Sequence, residues 1–307
     1  MTGPGVRIFL QPLARGLVQE RFEKLLGTTD FTEADKKAYT GHVNSIVARL
    51  RSSFQISKFQ VFGSVSRQTA IRQQSDIDLL VVLEPVELMW GGAVVTSTTV
   101  LARVRDELAD RFPNTSLRRD GEAIVVPFKD GYYPIDVVPA YQTKNYEQHE
   151  CYGIPTADGC WQATSPGAHK SFILKANLLS GGQLCKTARL VKLWRCVRTP
   201  EFPLSSFHVE MLLASEGICQ RGMPLAACLF ALFERLHRRE CRAIRDPLGI
   251  GRLIGAARTE AQRDTLMQGV AYAVDHARAA LNAECAGDWR EAVRQWDIVF
   301  NGQFPTT

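Results

Sequence analysis

The chain contains the stretch Ser75-Asp76-Ile77-Asp78-Leu79-Leu80-Val81-Val82, in which two aspartates begin an apolar run. Branched and apolar residues in such a run predict a β-strand. Side chains two residues apart on a strand point to the same face, so Asp76 and Asp78 lie side by side while Ile77 and Leu79 face the core. Two carboxylates this close repel each other unless a cation lies between them. The stretch therefore predicts a buried strand that begins at a cation site.

Two other segments extend this site. Upstream, Phe59–Ser64 predicts a strand and a tight turn, in which Gly63 permits close approach to a phosphate and Ser64 adds a hydroxyl and an amide at a predicted helix start. A third acid, Asp136, lies in the apolar run Tyr133–Pro139, where an unpaired charge would be out of place. An isolated Asp-x-Asp pair is usually a solvated strand end. Three aspartates on two strands instead predict two Mg²⁺ ions, the arrangement used in phosphoryl transfer.

Length and composition exclude several classes of protein. The 307 residues, 45% hydrophobic and 22% charged, are typical of a folded two-lobed protein and exclude a disordered or fibrous chain. The net charge of +5 favours phosphate-bearing ligands. The eight cysteines include no CxxC pair, so we expect reduced thiols. The longest uncharged apolar stretch, Pro224–Phe233, is too short to span a membrane, and residues 1–10 lack a signal-peptide layout. We therefore expect a cytoplasmic protein without a membrane partner.

The residue pattern predicts an α/β fold with a mixed-sheet lobe followed by an all-helical lobe. Two helices are predicted in the first fifty residues, and short β-rich runs with one helix over Val100–Phe112 occupy residues 57–140. Residues 141–169 show little periodicity and predict a long connection or a crossing between the lobes. Helix-compatible segments then follow at Ser171–Leu179, Gln183–Val197, Ser205–Arg221, Leu225–Ile244 and Thr259–Cys285. We expect a catalytic lobe at 1–164, a helical lobe at 165–307 and the active site in a cleft between them.

The Gly-Ser turn and the three aspartates together resemble the hG[GS]…DhD…hDh pattern of the DNA polymerase beta-like nucleotidyltransferase superfamily. The segments Ser75–Asp78 and Ile135–Ala140 resemble one branch in particular, the cGAS/DncV-like nucleotidyltransferases (CD-NTases) of bacterial anti-phage systems and animal innate immunity. This resemblance implies a polymerase beta-like catalytic lobe and an oligoadenylate synthase-like helical lobe. It also implies synthesis of cyclic di- or trinucleotide second messengers from nucleoside triphosphates, with release of pyrophosphate.

Two segments of the helical lobe support the narrower resemblance. The segment Lys186–Arg195, KTARLVKLWR, resembles the family's RLhKhWR helix, which implies that Lys192 binds the donor triphosphate. Lys192 follows Arg189 by three residues, and this spacing suggests that both cations face one groove. The segment Pro203–Glu210, PLSSFHVE, resembles the family's SSYHhE element, which implies that Ser206 forms hydrogen bonds with donor phosphates and that Phe207 stacks on a base. Phenylalanine keeps the stacking face and loses only the tyrosine hydroxyl. We expect Glu210 to hold its helix in place rather than to do chemistry.

Further segments extend the resemblance or leave alternatives open. Trp161…Thr164-Ser165-Pro166…His169 resembles the family's W…(T/S)xP…H connection, and Arg245-Asp246-Pro247 resembles its DP turn. The basic run Arg235–Arg245 is more typical of a solvated helix face than of a nucleic-acid groove. A zinc cluster would need a fourth ligand and regular spacing that its candidate residues lack, so ordinary thiols are the preferred interpretation. Those candidates are His149, Cys151 and Cys160.

The predicted catalytic and metal-binding residues are Asp76, Asp78 and Asp136, and the predicted nucleotide contacts are Gly63, Ser64, Lys192, Ser206 and Phe207. The implied cofactor is a pair of Mg²⁺ ions, with Mn²⁺ as a substitute, and the implied partners are nucleoside triphosphates; a regulatory protein or RNA is left open. Base choice, linkage and ring size do not follow from these residues. Two rival hypotheses remain, namely a linear oligonucleotide or tRNA nucleotidyltransferase and a non-catalytic nucleotide- or RNA-binding protein.

Overall fold

A mixed β-sheet is the centre of the computed structural model, which describes residues 15–128, 133–198 and 202–306. Within those ranges the sheet has seven strands, and its main path runs β1, β2, β7, β6, β5, with β8 beside β7 and β9 beside β8. β2 and β7 pair in parallel, whereas the other neighbours in this sheet are antiparallel. The strands, together with a separate β3–β4 hairpin, are β1 (Ile56–Val61), β2 (Ile77–Leu83), β3 (Met89–Trp90), β4 (Ala93–Val94), β5 (Arg118–Asp120), β6 (Ala123–Val126), β7 (Ile135–Gln142), β8 (Tyr152–Pro155) and β9 (Trp161–Thr164).

Along the described chain, the first two helices precede β1, the next two lie between strands, and the rest follow β9. They are α1 (Arg15–Gly27), α2 (Glu33–Ser53), α3 (Gly63–Ser66), α4 (Ser97–Arg111), α5 (Pro166–Leu179), α6 (Gln183–Arg198), α7 (Ser206–Glu216), α8 (Leu225–Arg238), α9 (Glu260–Ala286) and α10 (Trp289–Val299), with a short 3₁₀ turn at Pro85–Leu88. Side-chain caps fix several of their beginnings. Thr32 and Asp35 form a reciprocal capping box at α2, and Ser205 accepts a hydrogen bond from the His208 amide at α7. No described helix is both long and apolar enough to cross a membrane.

The described chain divides into two compact units. The sheet unit holds residues 31–175 and 245–254, and the helical unit holds residues 15–30, 176–244 and 255–306. This division differs from the single boundary expected near residue 164. Helix α1 belongs to the helical unit because Phe22 makes edge-to-face contacts with Trp296, Phe300 and Phe304. The short segment 245–254 returns to the sheet unit.

Alternation along β2 and β7 gives the sheet two different faces. Ile77 and Leu79 of β2 pack in one hydrophobic cluster with side chains of α2 and α4, such as Leu50 and Val104. The opposite face carries a smaller apolar cluster, which includes Leu80, Val82, Val138, Ala140, Tyr152 and Ile154. Because side chains alternate, Asp78 and Asp136 share this second face with the smaller cluster.

The predicted α/β architecture, with a helical C-terminal region, is confirmed, whereas one local expectation was wrong and one helix was missed. Residues 141–169 are not a plain connection, since they contain β8 and β9, four-residue strands that pair with each other and with the end of β7. Helix α10 was not predicted, although Gly287 ends α9 in a left-handed conformation and Asp288 caps α10. All eight cysteines are free, as expected. Residues 1–10, on which the signal-peptide argument rested, lie outside the described residues.

Candidate active site

Two of the three predicted catalytic acids lie directly opposite each other. β2 and β7 are paired in parallel so that Ile77 faces Ile135 and Asp78 faces Asp136. Paired strands lie about 4.8 Å apart, and residues that face each other project from the same side of the sheet. Asp76 stands immediately before β2, two residues from Asp78. The geometry therefore gathers the acids at the beginning of two adjacent strands, on one face.

The pKa of the third acid, Asp136, is strongly perturbed. Burial raises the pKa of Asp136 to about 8, and the negative charges of Asp76, Asp78 and Asp120 act in the same direction. Asp136 Oδ1 is also buried without a hydrogen-bond partner among the described atoms. A carboxyl group in this environment keeps its proton near neutral pH until a compensating charge arrives. The group is consequently poised to receive a cation.

The turn between β1 and α3 presses against the same acids. Gly63 has a φ of +63°, and a Cβ atom at this position would lie 1.7 Å from Oδ2 and 2.5 Å from Cγ of Asp78. The Phe62 amide donates a hydrogen bond of 3.0 Å to the Asp78 carbonyl oxygen, and the amides of Thr69 and Ala70 donate to the Ser64 carbonyl. Only glycine fits here, because any side chain would displace the aspartate.

The donor set fits Mg²⁺ by its chemistry. Asp136 contributes an unpartnered buried oxygen, and its pKa is raised partly by neighbouring carboxylates. Mg²⁺ takes one or two carboxylates from the protein and completes its shell with waters and substrate phosphates. Within residues 15–128, 133–198 and 202–306, no three His, Cys, Asp or Glu side chains form a ready-made metal group, and this includes His149, Cys151 and Cys160.

A second group of predicted residues lies in the helical unit. Lys192 of α6 is only 6% exposed, and its Nζ lies 3.4 Å from Oε1 of the fully buried Glu210 on α7. Lys192, Arg195 and Ser206 line one small recess. Phe207, the next residue of α7, is partly exposed. The recess joins an ammonium, a guanidinium and a hydroxyl, which are groups that suit phosphate oxygens.

Arg189 does not share this recess, contrary to the expectation from its spacing. Its guanidinium donates to the Leu26 carbonyl at 3.1 Å and to the Thr29 hydroxyl, and it forms an ion pair with Asp30. These partners lie in and just after α1, within the helical unit. Arg189 therefore fastens α6 to α1, and Lys192 pairs with Glu210 instead. That pairing agrees with a helix-holding part for Glu210.

Two motif segments that are distant in sequence meet inside the sheet unit. His169 Nε2 lies 3.1 Å from Asp246 Oδ2, and both side chains are buried. The carboxylate of Asp246 also accepts hydrogen bonds from the amides of Leu248 and Gly251 at 3.0 and 2.8 Å. Burial lowers the pKa of His169, so a neutral ring donates to the carboxylate. The W…SP…H connection and the DP turn thus form one clasp that sequence reasoning did not join.

Sequence reasoning also missed two charged residues on β5. Asp120 is among the charges that raise the pKa of Asp136, and Arg118 lowers it. Arg118 and Asp120 approach each other at 3.6 Å. Their strand is only three residues long and contains three charged side chains, so no hydrophobic pattern marked it.

The predicted site residues thus form two groups, each described within its own unit. The group in the sheet unit consists of Gly63, Ser64, Asp76, Asp78 and Asp136, and the group in the helical unit consists of Lys192, Ser206 and Phe207.

Comparisons with known proteins identify the family of the chain. The sequence model of the second messenger oligonucleotide or dinucleotide synthetase domain matches residues 17–177. The chain is 23% identical over 276 residues to a probable cyclic nucleotide synthase of Bacillus cereus (strain VD146), with coverage of 80% of this chain and 81% of the relative. It is 26% identical over 198 residues to the cyclic AMP-AMP-AMP synthase of Escherichia coli (strain MS 115-1), with coverage of 62% and 59% respectively.

Solved structures share the fold. E. coli MS115-1 CdnC with ATP superposes with a TM-score of 0.72 at 20% identity, covering 94% of this chain and 99% of that one. Vibrio cholerae DncV cyclic AMP-GMP synthase, in complex with a linear intermediate, superposes with a TM-score of 0.64 at 13% identity, covering 96% and 88%. At these identities the superpositions establish the fold.

Proposed function

The chain belongs to the family of second messenger oligonucleotide or dinucleotide synthetases, the CD-NTases, and is a cyclic nucleotide synthase; we propose that it makes cyclic di- or trinucleotides by two-metal nucleotidyl transfer. The observation that carries this proposal is the parallel pairing of Asp78 with Asp136, next to Gly63, a position where no residue larger than glycine fits against Asp78. Two carboxylates on one sheet face are costly to keep together unless the reaction uses a cation. The remaining residues supply the contacts that a nucleoside triphosphate needs.

Asp76, Asp78 and Asp136 would hold the Mg²⁺ ions. When bound, these ions would make the acceptor hydroxyl more acidic and neutralise charge on the reacting phosphates. The Asp136 carboxyl, whose pKa is raised to about 8, gives up its proton in order to act as a ligand. Gly63 lets the turn pack closely against the Asp78 carboxylate, which keeps that carboxylate in one orientation.

The donor nucleotide would be held through its phosphates and its base. The Ser64 hydroxyl and amide, the Lys192 ammonium and the Ser206 hydroxyl would contact its phosphates, and Phe207 would stack on a base. In each transfer a ribose hydroxyl of the acceptor forms a bond to the α-phosphorus. The bond from that phosphorus to the bridging oxygen breaks, pyrophosphate leaves, and the hydroxyl proton passes to solvent. A last transfer within the linear product closes the ring; it is the second transfer for a cyclic dinucleotide and the third for a cyclic trinucleotide.

The relatives suggest the substrate and a partner. E. coli MS115-1 CdnC was solved with ATP, and the relative from the same strain is named a cyclic AMP-AMP-AMP synthase, so we propose ATP as one substrate. CdnC was also solved in a complex with a HORMA protein, which supports a regulatory protein partner for this chain. A place in bacterial anti-phage defence, inside the cytoplasm, follows from the family resemblance and belongs to the same proposal.

The test is incubation with all four ribonucleoside triphosphates and Mg²⁺ or Mn²⁺, followed by phosphatase treatment and mass analysis. We expect phosphatase-resistant products with the masses of cyclic di- or trinucleotides. The Asp76→Asn, Asp78→Asn double variant is the matched control and should be folded and inactive. Linear products alone would favour an oligoadenylate synthase-like transferase, and the absence of any product would favour a non-catalytic nucleotide binder.

A further inference from the structure

Arg118 stands in the same row of the sheet as the catalytic acids. Asp78 faces Asp136 across β2 and β7, Asp136 faces Val125 across β7 and β6, and Val125 faces Arg118 across β6 and β5. Residues that face each other across a sheet project to the same side, so Arg118 shares the face of the acids. With strands about 4.8 Å apart, the Arg118 backbone lies about 10 Å from that of Asp136. The neighbouring Arg119 projects to the opposite face.

The charge of Arg118 acts on the acids while its side chain stays accessible. Its guanidinium works against the raised pKa of Asp136. Its side chain is 62% exposed, and its ion pair with Asp120 is long, at 3.6 Å. An exposed pair of this kind contributes little to stability. Arg118 is therefore available to a ligand that lies over this part of the sheet.

The order of the strands decides which ligand this is. In the proposed function the donor phosphates lie at Gly63 and Ser64, directly after β1, and β1 borders β2 on the side away from β7. In-line transfer places the leaving pyrophosphate and the attacking hydroxyl on opposite sides of the α-phosphorus. Pyrophosphate on the β1 side requires the acceptor to approach from the side of β7, β6 and β5. The acceptor consequently lies toward Arg118.

We propose that Arg118 binds the 5′-phosphates of the acceptor nucleotide. The proposal rests on the proposed function and adds an acceptor contact that the sequence did not indicate. A guanidinium suits this task because its fork of N–H donors matches phosphate oxygens and its charge is permanent. Lysine at this position would supply the charge without the fork.

The test measures the KM for the acceptor separately from that for the donor. Two acceptors that cannot act as donors are used, and both carry the base that the wild type uses in its acceptor. One is the nucleoside α,β-methylene triphosphate, and the other is the nucleoside without phosphates. We expect Arg118→Ala to raise the KM for the methylene triphosphate about ten- to a hundredfold and to leave the KM for the plain nucleoside acceptor unchanged. The KM for the donor should also stay unchanged. Arg118→Lys should recover part of the loss.

Arg119→Ala is the matched control, since it removes another exposed arginine, from the other face of the same strand. It should leave both KM values unchanged, and melting temperatures should show that all variants are folded. Equal KM values for the methylene triphosphate in the Arg118→Ala and Arg119→Ala variants would overturn the acceptor assignment. The proposed function would still stand in that case if the wild type turns over. An equal loss for the methylene triphosphate and the nucleoside would also overturn it, because phosphate would not be the group recognised. Absence of wild-type turnover would refute the proposed function and this inference together.

Discussion

Gly63→Ala tests how the β1–α3 turn controls Asp78. A Cβ at residue 63 would lie 1.7 Å from Oδ2, 2.5 Å from Cγ and 3.0 Å from Cβ of Asp78, which is overlap rather than contact. The Asp78 backbone is fixed by pairing on both sides, with Leu80 and its neighbours facing β1 and Asp78 itself facing Asp136. The side chain therefore has to yield. We expect the Asp78 carboxylate to turn away and product formation to fall as far as it does in Asp78→Asn.

The expected loss of stability has two parts. An alanine in the left-handed region, where Gly63 has its φ of +63°, costs about 1–2 kcal/mol. Forcing Asp78 out of its preferred rotamer costs about 0.5–1.5 kcal/mol more. For a unit of this size each kcal/mol lowers the melting temperature by about 2–4 °C. Thermal denaturation and the product assay are measured on the same preparation.

Gly121→Ala separates the two parts. Gly121 has a φ of +57° in the turn between β5 and β6, and a Cβ there would meet nothing within 4 Å. This variant carries the backbone cost alone and should keep its activity. The reasoning is refuted if Gly63→Ala matches Gly121→Ala in both melting temperature and turnover, because the overlap with Asp78 would then have no consequence.

Three further predictions concern buried charges. Burial raises the pKa of Asp136 to about 8, so between pH 5 and 8 the folded state holds a proton that the unfolded chain releases. As the pH rises through this range, metal-free wild type should lose up to about 1.4 kcal/mol of its free energy of unfolding per pH unit relative to Asp136→Asn. A difference in melting temperature between the two proteins that stays constant with pH would contradict this. Lys192→Met and Glu210→Gln should each cost about 3 kcal/mol because each breaks the buried ion pair, and urea denaturation of the double variant should show less than the sum of the two losses. Additive losses would argue against the ion pair. Asp246→Ala should cost about 3 kcal/mol because it removes the acceptor of the hydrogen bonds from the His169 ring and from two amides, and an unchanged urea midpoint would disprove this.

The sequence predicted those parts of the fold whose signal lies within one segment. β2 and β7 are apolar runs with an aspartate in second place, so both strands and the face of each acid could be predicted from alternation. Their parallel pairing could not, because the register between segments so far apart depends on the tertiary fold. β8 and β9 were missed for a related reason: each has four residues, and their pairing depends on an extension of β7 that local sequence does not reveal.

The site shows the same limit. The types of the predicted residues were read from motifs, but their partners were not. The spacing of Arg189 and Lys192 placed both cations on one helical face, whereas the structure pairs Arg189 with residues in and after α1 and Lys192 with Glu210. Helical spacing fixes the direction of a side chain only approximately, and a buried carboxylate such as Glu210 decides the rest.

The two groups of site residues differ in how their charge is balanced, and this difference bears on the order of binding. In the helical unit the charge of Lys192 is matched by Glu210 before any nucleotide arrives. In the sheet unit burial and the neighbouring carboxylates both raise the pKa of Asp136, and Arg118 offsets this only in part. A triphosphate adds further negative charge beside these acids, so it is repelled while they are uncompensated. The sheet unit should therefore accept the nucleotide together with its cation, whereas the lysine can keep its internal partner until the phosphates are in place.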